Sequence, residues 1–286
     1  MASEVKNPAR KLFFGLFVFP LLIAVGMAVL LCSVVLLTSE RQTPEALMAS
    51  VKSGAPGKRW QKAYELSNEL NTRGAGDTLR SEALRGEIIS VLEAADRYDA
   101  RTRGYMALAL ARFAPKAHPP PAGDPAVEAL KRALEDKSPD VRLYALWSLG
   151  ALGAREAAPA VVAFLKSEDP ALRKTAAYVL GVAGDKESGV HLKGLLSDPV
   201  ADVRWNAALA LARMGDASGA GVLAGMLDRR TLEKERMSAP QIEGAMINAI
   251  RGLARLGDKD STETLKKLSQ NEPNLKVRQA ALEALK

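Results

Sequence analysis

Cysteine is nearly absent from this chain: one residue, Cys32, in 286. A lone thiol cannot close an internal disulfide, so burial has to hold the fold together. Histidine is almost as scarce. His118, in PKAHPPPAGDP, and His191 stand apart from each other and from the cysteine, which leaves a zinc site without its ligand set. No Gly-rich phosphate loop follows a strand-like run and no G-x-S-x-G elbow is present; Gly219 and Gly221 in DASGAGVLAG belong to a helical stretch. No catalytic residue, metal or cofactor is therefore expected. Aromatic residues make up only 5% of the chain although 48% of it is hydrophobic, so Ala, Leu and Val carry the apolar content. Such a composition favours helices over strands. A charged share of 26% beside that apolar content also excludes wholesale disorder.

The longest run lacking any charge extends from Leu12 to Thr38, 27 residues. As a helix it would rise about 40 Å, more than the ~30 Å of a bilayer core, and it is longer than the roughly 7–15 apolar residues of a cleavable leader. A transmembrane helix over 12–38 is expected, kinked at Pro20. Leu31 stands before Cys32 where a lipoprotein box needs a small side chain, so Cys32 reads as a packed or lipid-facing thiol. Lys6, Arg10 and Lys11 outnumber Glu4 ahead of the span, and Glu40, Arg41 and Glu45 follow it. The positive-inside rule then assigns residues 1–11 to the cytoplasm and the remainder to the periplasm of a bacterial inner membrane.

Beyond the span the chain repeats itself. Aligned on Arg142, Arg173 and Arg204, the segments RLYALWSLGALG, RKTAAYVLGVAG and RWNAALALARMG superpose at spacings of 31 and 31. A small column (Ala145, Ala176, Ala207), a large one (Leu149, Leu180, Leu211) and a turn column (Gly153, Gly184, Gly215) recur in register. MINAIRGLARLG continues the pattern with Met246 in place of the arginine, after an insertion at 229–241, and RQAALEALK from Arg278 extends it. RGYMALALARFA from Arg103 and, weakly, RWQKAYELSNEL from Arg59 precede it, for about six to seven copies. Each copy reads as two helices: the first opens after a Pro turn (Ser138-Pro139, Asp169-Pro170, Asp198-Pro199, Glu272-Pro273) and is closed by the glycine, and the second carries Val161 and Phe164, Leu192 and Leu195, Leu223 and Met226, or Leu265 and Leu268 on one face. No copy can bury such a face alone, so the copies must stack. The segments are then 1–11 tail, 12–38 span, 39–113 degenerate repeats, a Pro-rich loop at 114–125 that divides the array, and repeats over 126–286.

The pattern D-P-x-x-V-R-x-x-A-x-x-x-L-x-x-x-G, clearest from Asp198 and Pro199 through Val203, Arg204, Ala207, Leu211 and Gly215, resembles the short HEAT repeats also called PBS-lyase-type HEAT-like repeats. It covers about residues 101–286 well and 45–100 loosely. The resemblance implies an all-α, right-handed α-solenoid that serves as a protein-binding scaffold more often than as an enzyme. It also implies that Arg142, Arg173 and Arg204 form a hydrogen-bonded ladder between copies. Bilin lyases share the repeat type, but here the one cysteine lies in the apolar run and nothing else points to a pigment.

Two surfaces are candidates for a partner. In HEAT-like geometry the second helices line the concave side and turn outward Val162, Ala163, Lys193, Gly194, Ala224, Gly225, Lys266 and Lys267, with Lys131 and Arg132 in the preceding copy; this is a groove small at its middle and basic at its ends. On the first helices Trp147 and Tyr178 share a column, with Tyr144 and Trp205 close by, and aromatics are the usual anchors of interfaces. The insertion RRTLEKERMSAPQ is a third candidate, because insertions in solenoids map to loops on one face. The net charge of +7 raises a nucleic-acid-binding alternative, against which a membrane tether argues. The expected function is thus a membrane-anchored scaffold or accessory subunit docking a protein partner, such as an integral-membrane transporter or envelope complex, with lipid contacts through 12–38.

Overall fold

A computed structural model describes residues 14–38, 43–72, 81–113 and 120–286. The expectations for the tail with Lys6, Arg10 and Lys11, for Glu40 and Arg41, for the side chain of Cys32, and for His118 lie outside the described residues. The chain divides into two units, Met1–Thr43 and Pro44–Lys286.

In the first unit a wide π-turn, Phe14–Val18, runs into helix α1, Phe19–Thr38. Pro20 sits where the π pattern gives way to the regular ladder, at the second residue of α1, where a missing N–H disturbs least. Large apolar side chains from Leu16 to Leu31 are uncovered, most of them near 60% exposed. Among the described residues no helix is long and apolar enough to cross a membrane, so the expected anchor is not established by them.

The second unit is an all-helical repeat solenoid, with seven helix pairs among the described residues. Short helices α2 (Pro44–Ser53), α4 (Glu82–Glu93), α6 (Pro125–Ala133), α8 (Ala158–Val162), α10 (Gly189–Gly194), α12 (Ala220–Gly225) and α15 (Thr262–Asn271) form one row. Long helices α3 (Arg59–Thr72), α5 (Ala100–Leu110), α7 (Pro139–Leu152), α9 (Pro170–Ala183), α11 (Ala201–Met214), α14 (Ala239–Leu256) and α16 (Leu275–Ala284) form the other. The insertion supplies a one-turn helix, α13 (Arg229–Lys234).

Each short helix packs on the long helix that follows it, whereas the column alignment pairs it with the one before. The Pro turn is therefore a tight hairpin within a pair, and the glycine turn is the joint between pairs. Both rows also continue across the Pro-rich loop, since α4 packs on α6 and α5 on α7, so the loop does not divide the array.

Local chemistry accounts for the ends. Gly153, Gly184, Gly215 and Gly257 close their helices at φ 64°, 68°, 81° and 64°, a left-handed conformation that a side chain resists. Asp169 caps α9, its carboxylate accepting from the Ala171 amide at 2.8 Å. At Pro199 and Pro273 the helices begin two residues later, at Ala201 and Leu275, and the Asp198 and Glu272 carboxylates, besides accepting from the Val200 and Asn274 amides, also engage arginines.

That engagement is the arginine ladder. Arg142, Arg173 and Arg204 each donate Nη1 at 2.7 Å to the carbonyl six residues earlier, that of Asp136, Ser167 or Asp198. Where that residue is acidic, its carboxylate also receives the arginine of the preceding pair: Arg103 holds Asp136 at 2.9 Å, and Arg173 holds Asp198 through Nε at 2.8 Å and Nη2 at 3.0 Å. The Arg173 hydrogen bond keeps the Asp198 carboxyl below its usual range. Ser167 offers no carboxylate to Arg142. The ladder is thus intermittent. In the pair that carries Met246 instead of arginine, Arg229 of the insertion reaches the buried carboxylate of Glu272.

Candidate partner-binding cleft

The hydrophobic core has a seam at α11. One buried cluster runs from Leu47 to Leu211 and the other from Ala201 to Ala281. Helix α11 faces both, with Val203, Ala207, Ala210 and Leu211 toward the first and Ala201, Trp205, Ala208 and Ala212 toward the second. Ahead of the seam the long helices pack closely: a Cβ on Gly181 would lie 2.7 Å from the Ala210 backbone, which only glycine permits. Beyond it, α14 packs less extensively on α11 than α11 does on α9.

A cleft of about 490 Å³ opens there, across α7, α9, α11 and α14. Trp147, half-exposed, and Tyr178 form one wall, their ring centroids 5.6 Å apart. Trp205 is nearly buried and forms the floor with Leu209 and Met226. Met237 closes the far side, delivered by Arg236, a non-glycine residue at φ 57°. That conformation costs of order 1 kcal/mol or more and marks a constrained turn. Gln241, Gly244, Ala245 and Asn248 line the α14 side, and a Cβ on Gly244 would meet open space. The charged residues there are Lys174, which holds Asp202 at 3.2 Å, and Arg213, whose guanidinium lies over the Tyr178 ring at 5.4 Å.

The aromatic column and the insertion, two independent candidates from the sequence, thus meet at one place. Trp147 and Tyr178 form its wall, and Trp205 serves as floor rather than as an exposed contact. Sequence reasoning missed Lys174, Asn206, Arg213 and Asn248, and it held Met237 and Gln241 only as unspecified members of the insertion. The i, i+3, i+4 spacing of 241, 244, 245 and 248 on one helix face was the available signal.

The basic candidates on the short-helix row are not brought together. Lys131 pairs with Glu128 at 2.8 Å, Arg132 Nε donates to Glu93 at 2.9 Å, Lys193 holds Asp216 at 2.9 Å, and Lys266 holds Glu263 at 2.8 Å. Lys267 and His191 are simply exposed. Bonds from the Ser218 hydroxyl and from Lys193 pull the Asp216 carboxyl down to about 2. Among the described residues no cluster of three His, Cys, Asp or Glu side chains could hold a metal ion.

A family model for HEAT repeats matches residues 88–167, 127–212 and 158–243, together more than half of the sequence. The chain belongs to the HEAT-repeat family. Among solved structures, its HEAT array is similar to the complex of CpcE and CpcF of phycocyanin lyase from Nostoc sp. PCC7120, with a TM-score of 0.56 and 20% identity over 87% of this chain and 97% of that one. It is also similar to the Escherichia coli protein YibA, with a TM-score of 0.54 and 17% identity over 88% and 84% of the two chains. At such identities the likeness is one of fold. No curated protein matches the sequence significantly.

Proposed function

We propose that this HEAT-repeat protein is a membrane-anchored scaffold that holds a segment of a protein partner in the cleft across α7, α9, α11 and α14. The observation that carries the reading is the lining: two tryptophans, a tyrosine and two methionines around about 490 Å³, the side chains that dominate binding hot spots. Its one carboxylate, Asp202, is spent on Lys174, so the lining has no free acid to serve as a proton-transfer partner. A lyase reading borrowed from CpcE and CpcF has only the shared fold behind it. The short-helix row is the weaker docking face, because Lys131, Arg132, Lys193 and Lys266 already engage carboxylates.

The anchor rests on the 27 uncharged residues from Leu12 to Thr38 and on the uncovered apolar side chains of α1. The basic flank before them supports a cytoplasmic N-terminus and a periplasmic array in a bacterial inner membrane. A tethered array of this kind suits an accessory or assembly subunit, with an integral-membrane transporter or envelope complex as the class of partner.

The test uses the full chain, isolated in detergent, carrying a photocrosslinking residue at Trp147, Met237 or Lys267. The cleft positions should capture one common partner that Lys267 does not capture, and Tyr178→Ala should abolish it. Identical products from all three positions would remove the cleft from the function. Complete release of the chain from membranes at alkaline pH would remove the anchor.

A further inference from the structure

The aromatic surface on the long helices extends beyond the cleft. Tyr64 meets Tyr105 edge-on with ring centroids 5.3 Å apart, Tyr105 stacks on Tyr144 at 6.1 Å, and Trp147 and Tyr178 prolong the row onto α9. Packed helices lie about 8–10 Å apart axis to axis. A polyproline II segment crossing them turns once in three residues and rises about 9 Å per turn, so the same face of the segment meets a new helix at every turn. A β-strand repeats its face about every 7 Å and an α-helix about every 5.4 Å, and neither keeps step with the array.

The polar lining fits the same occupant. A polyproline II backbone has no internal hydrogen bonds, so its carbonyls need donors. Gln241 has committed its Oε1 to the Ser238 amide and hydroxyl at 2.8 and 2.9 Å, which leaves its Nε2 hydrogens for the cleft. Asn248 lies exposed one turn-pair further along the same face.

Charge then sets the composition. Lys174 is neutralised by Asp202, but Arg213 makes no ion pair among the described residues. The face of α14 that carries Gln241, Gly244, Ala245 and Asn248 continues to Arg251 and Arg255, both exposed and also without an ion pair among the described residues. One rim is therefore cationic on two successive long helices. A segment with an acidic residue at every third position presents all its carboxylates along one edge.

We propose that the aromatic row is a docking track for an acidic, proline-rich partner segment in polyproline II conformation, with proline rings on Trp147 and Tyr178 and carboxylates toward Arg213, Arg251 and Arg255. The proposal rests on the reading of the cleft as the partner site and specifies the chemistry of what enters it. Four turns of (Glu-Pro-Pro)4 span α7, α9, α11 and α14.

The experiment measures fluorescence anisotropy of labelled (Glu-Pro-Pro)4, (Lys-Pro-Pro)4 and (Glu-Gly-Gly)4 against the full chain in detergent. (Glu-Pro-Pro)4 should bind at least tenfold more tightly than either control, and added salt should weaken it. Trp147→Ala should lower its affinity at least tenfold, and Arg213→Glu should reverse the preference between the Glu and Lys peptides, with the helical melting profile of each variant checked to be that of the parent. Equal binding of (Glu-Gly-Gly)4, equal binding of (Lys-Pro-Pro)4, indifference to Trp147→Ala, or no binding at all would each overturn the proposal. Failure of the peptide while Trp147 still crosslinks a single partner leaves the cleft standing and removes only this track; failure of both removes the two together.

Discussion

The array behaves differently on the two sides of α11. From α7 to α11 the long helices begin every 31 residues, at Pro139, Pro170 and Ala201, glycines such as Gly181 let them approach to backbone contact, and one continuous core runs beneath them. Past α11 that 31-residue period is broken by the insertion, α14 is the longest helix of the array among the described residues, at 18 residues, and a second core begins. The cleft lies at this discontinuity. A perfectly regular solenoid has shallow, repeated grooves; here a departure from regularity widens one of them into a site, while Trp205 keeps its floor packed.

Four measurements would break or sharpen that contrast, and the largest concerns the ladder. Arg173→Ala leaves Asp198 buried without its bidentate partner, at 5% side-chain exposure, and should cost about 3–5 kcal/mol in urea unfolding. Arg142→Ala loses only carbonyl contacts and should cost about 1 kcal/mol. Equal costs would mean that the intermittent rungs do not matter.

Next comes Leu253→Ala, which empties a fully buried site in the second core and should cost about 2–5 kcal/mol. Hydrogen exchange should accelerate in α12, α14, α15 and α16 while α5 to α9 stay protected; uniform acceleration would show that the seam does not separate two cooperative units. Gly181→Ala, forced against Ala210, should cost about 1–3 kcal/mol. Gly244→Ala, facing the open cleft in mid-helix, should instead stabilise by about 0.5–1 kcal/mol.

The smallest effect is a pH slope. Asp216 has its folded pKa lowered to about 2 from an ordinary 3.8, so its contribution is fully present above about pH 4 and is lost as the pH falls toward 2. Asp216→Asn should flatten the acid limb of the stability curve in that window. An unchanged limb would assign the acid loss to other carboxylates, Asp198 first among them.

Much of the fold was legible because a repeat writes its constraints several times over. The Ala and Leu columns, the Pro turns and the closing glycines each recur, and each has a single geometric cause. The pairing of short with long helices was not legible, since periodicity is the same whichever neighbour a helix prefers, and only the tightness of the Pro turn decides it. The cleft was half legible. Trp147 and Tyr178 announced themselves as a column, but Met237 and Gln241 come from the segment that has no column to belong to, and the placement of Met237 depends on the left-handed turn at Arg236, which a sequence of ordinary residues does not signal.

The link from Arg229 to Glu272 changes what the inserted segment is. It does not merely interrupt the series; it supplies from outside the rung that Met246 cannot make, and so clamps the α15–α16 pair to the one before. Excising it would shorten the interval between α11 and α14 and at the same time unfasten α15 and α16 from the helices before them, which makes this detour one that the chain cannot lose piecemeal.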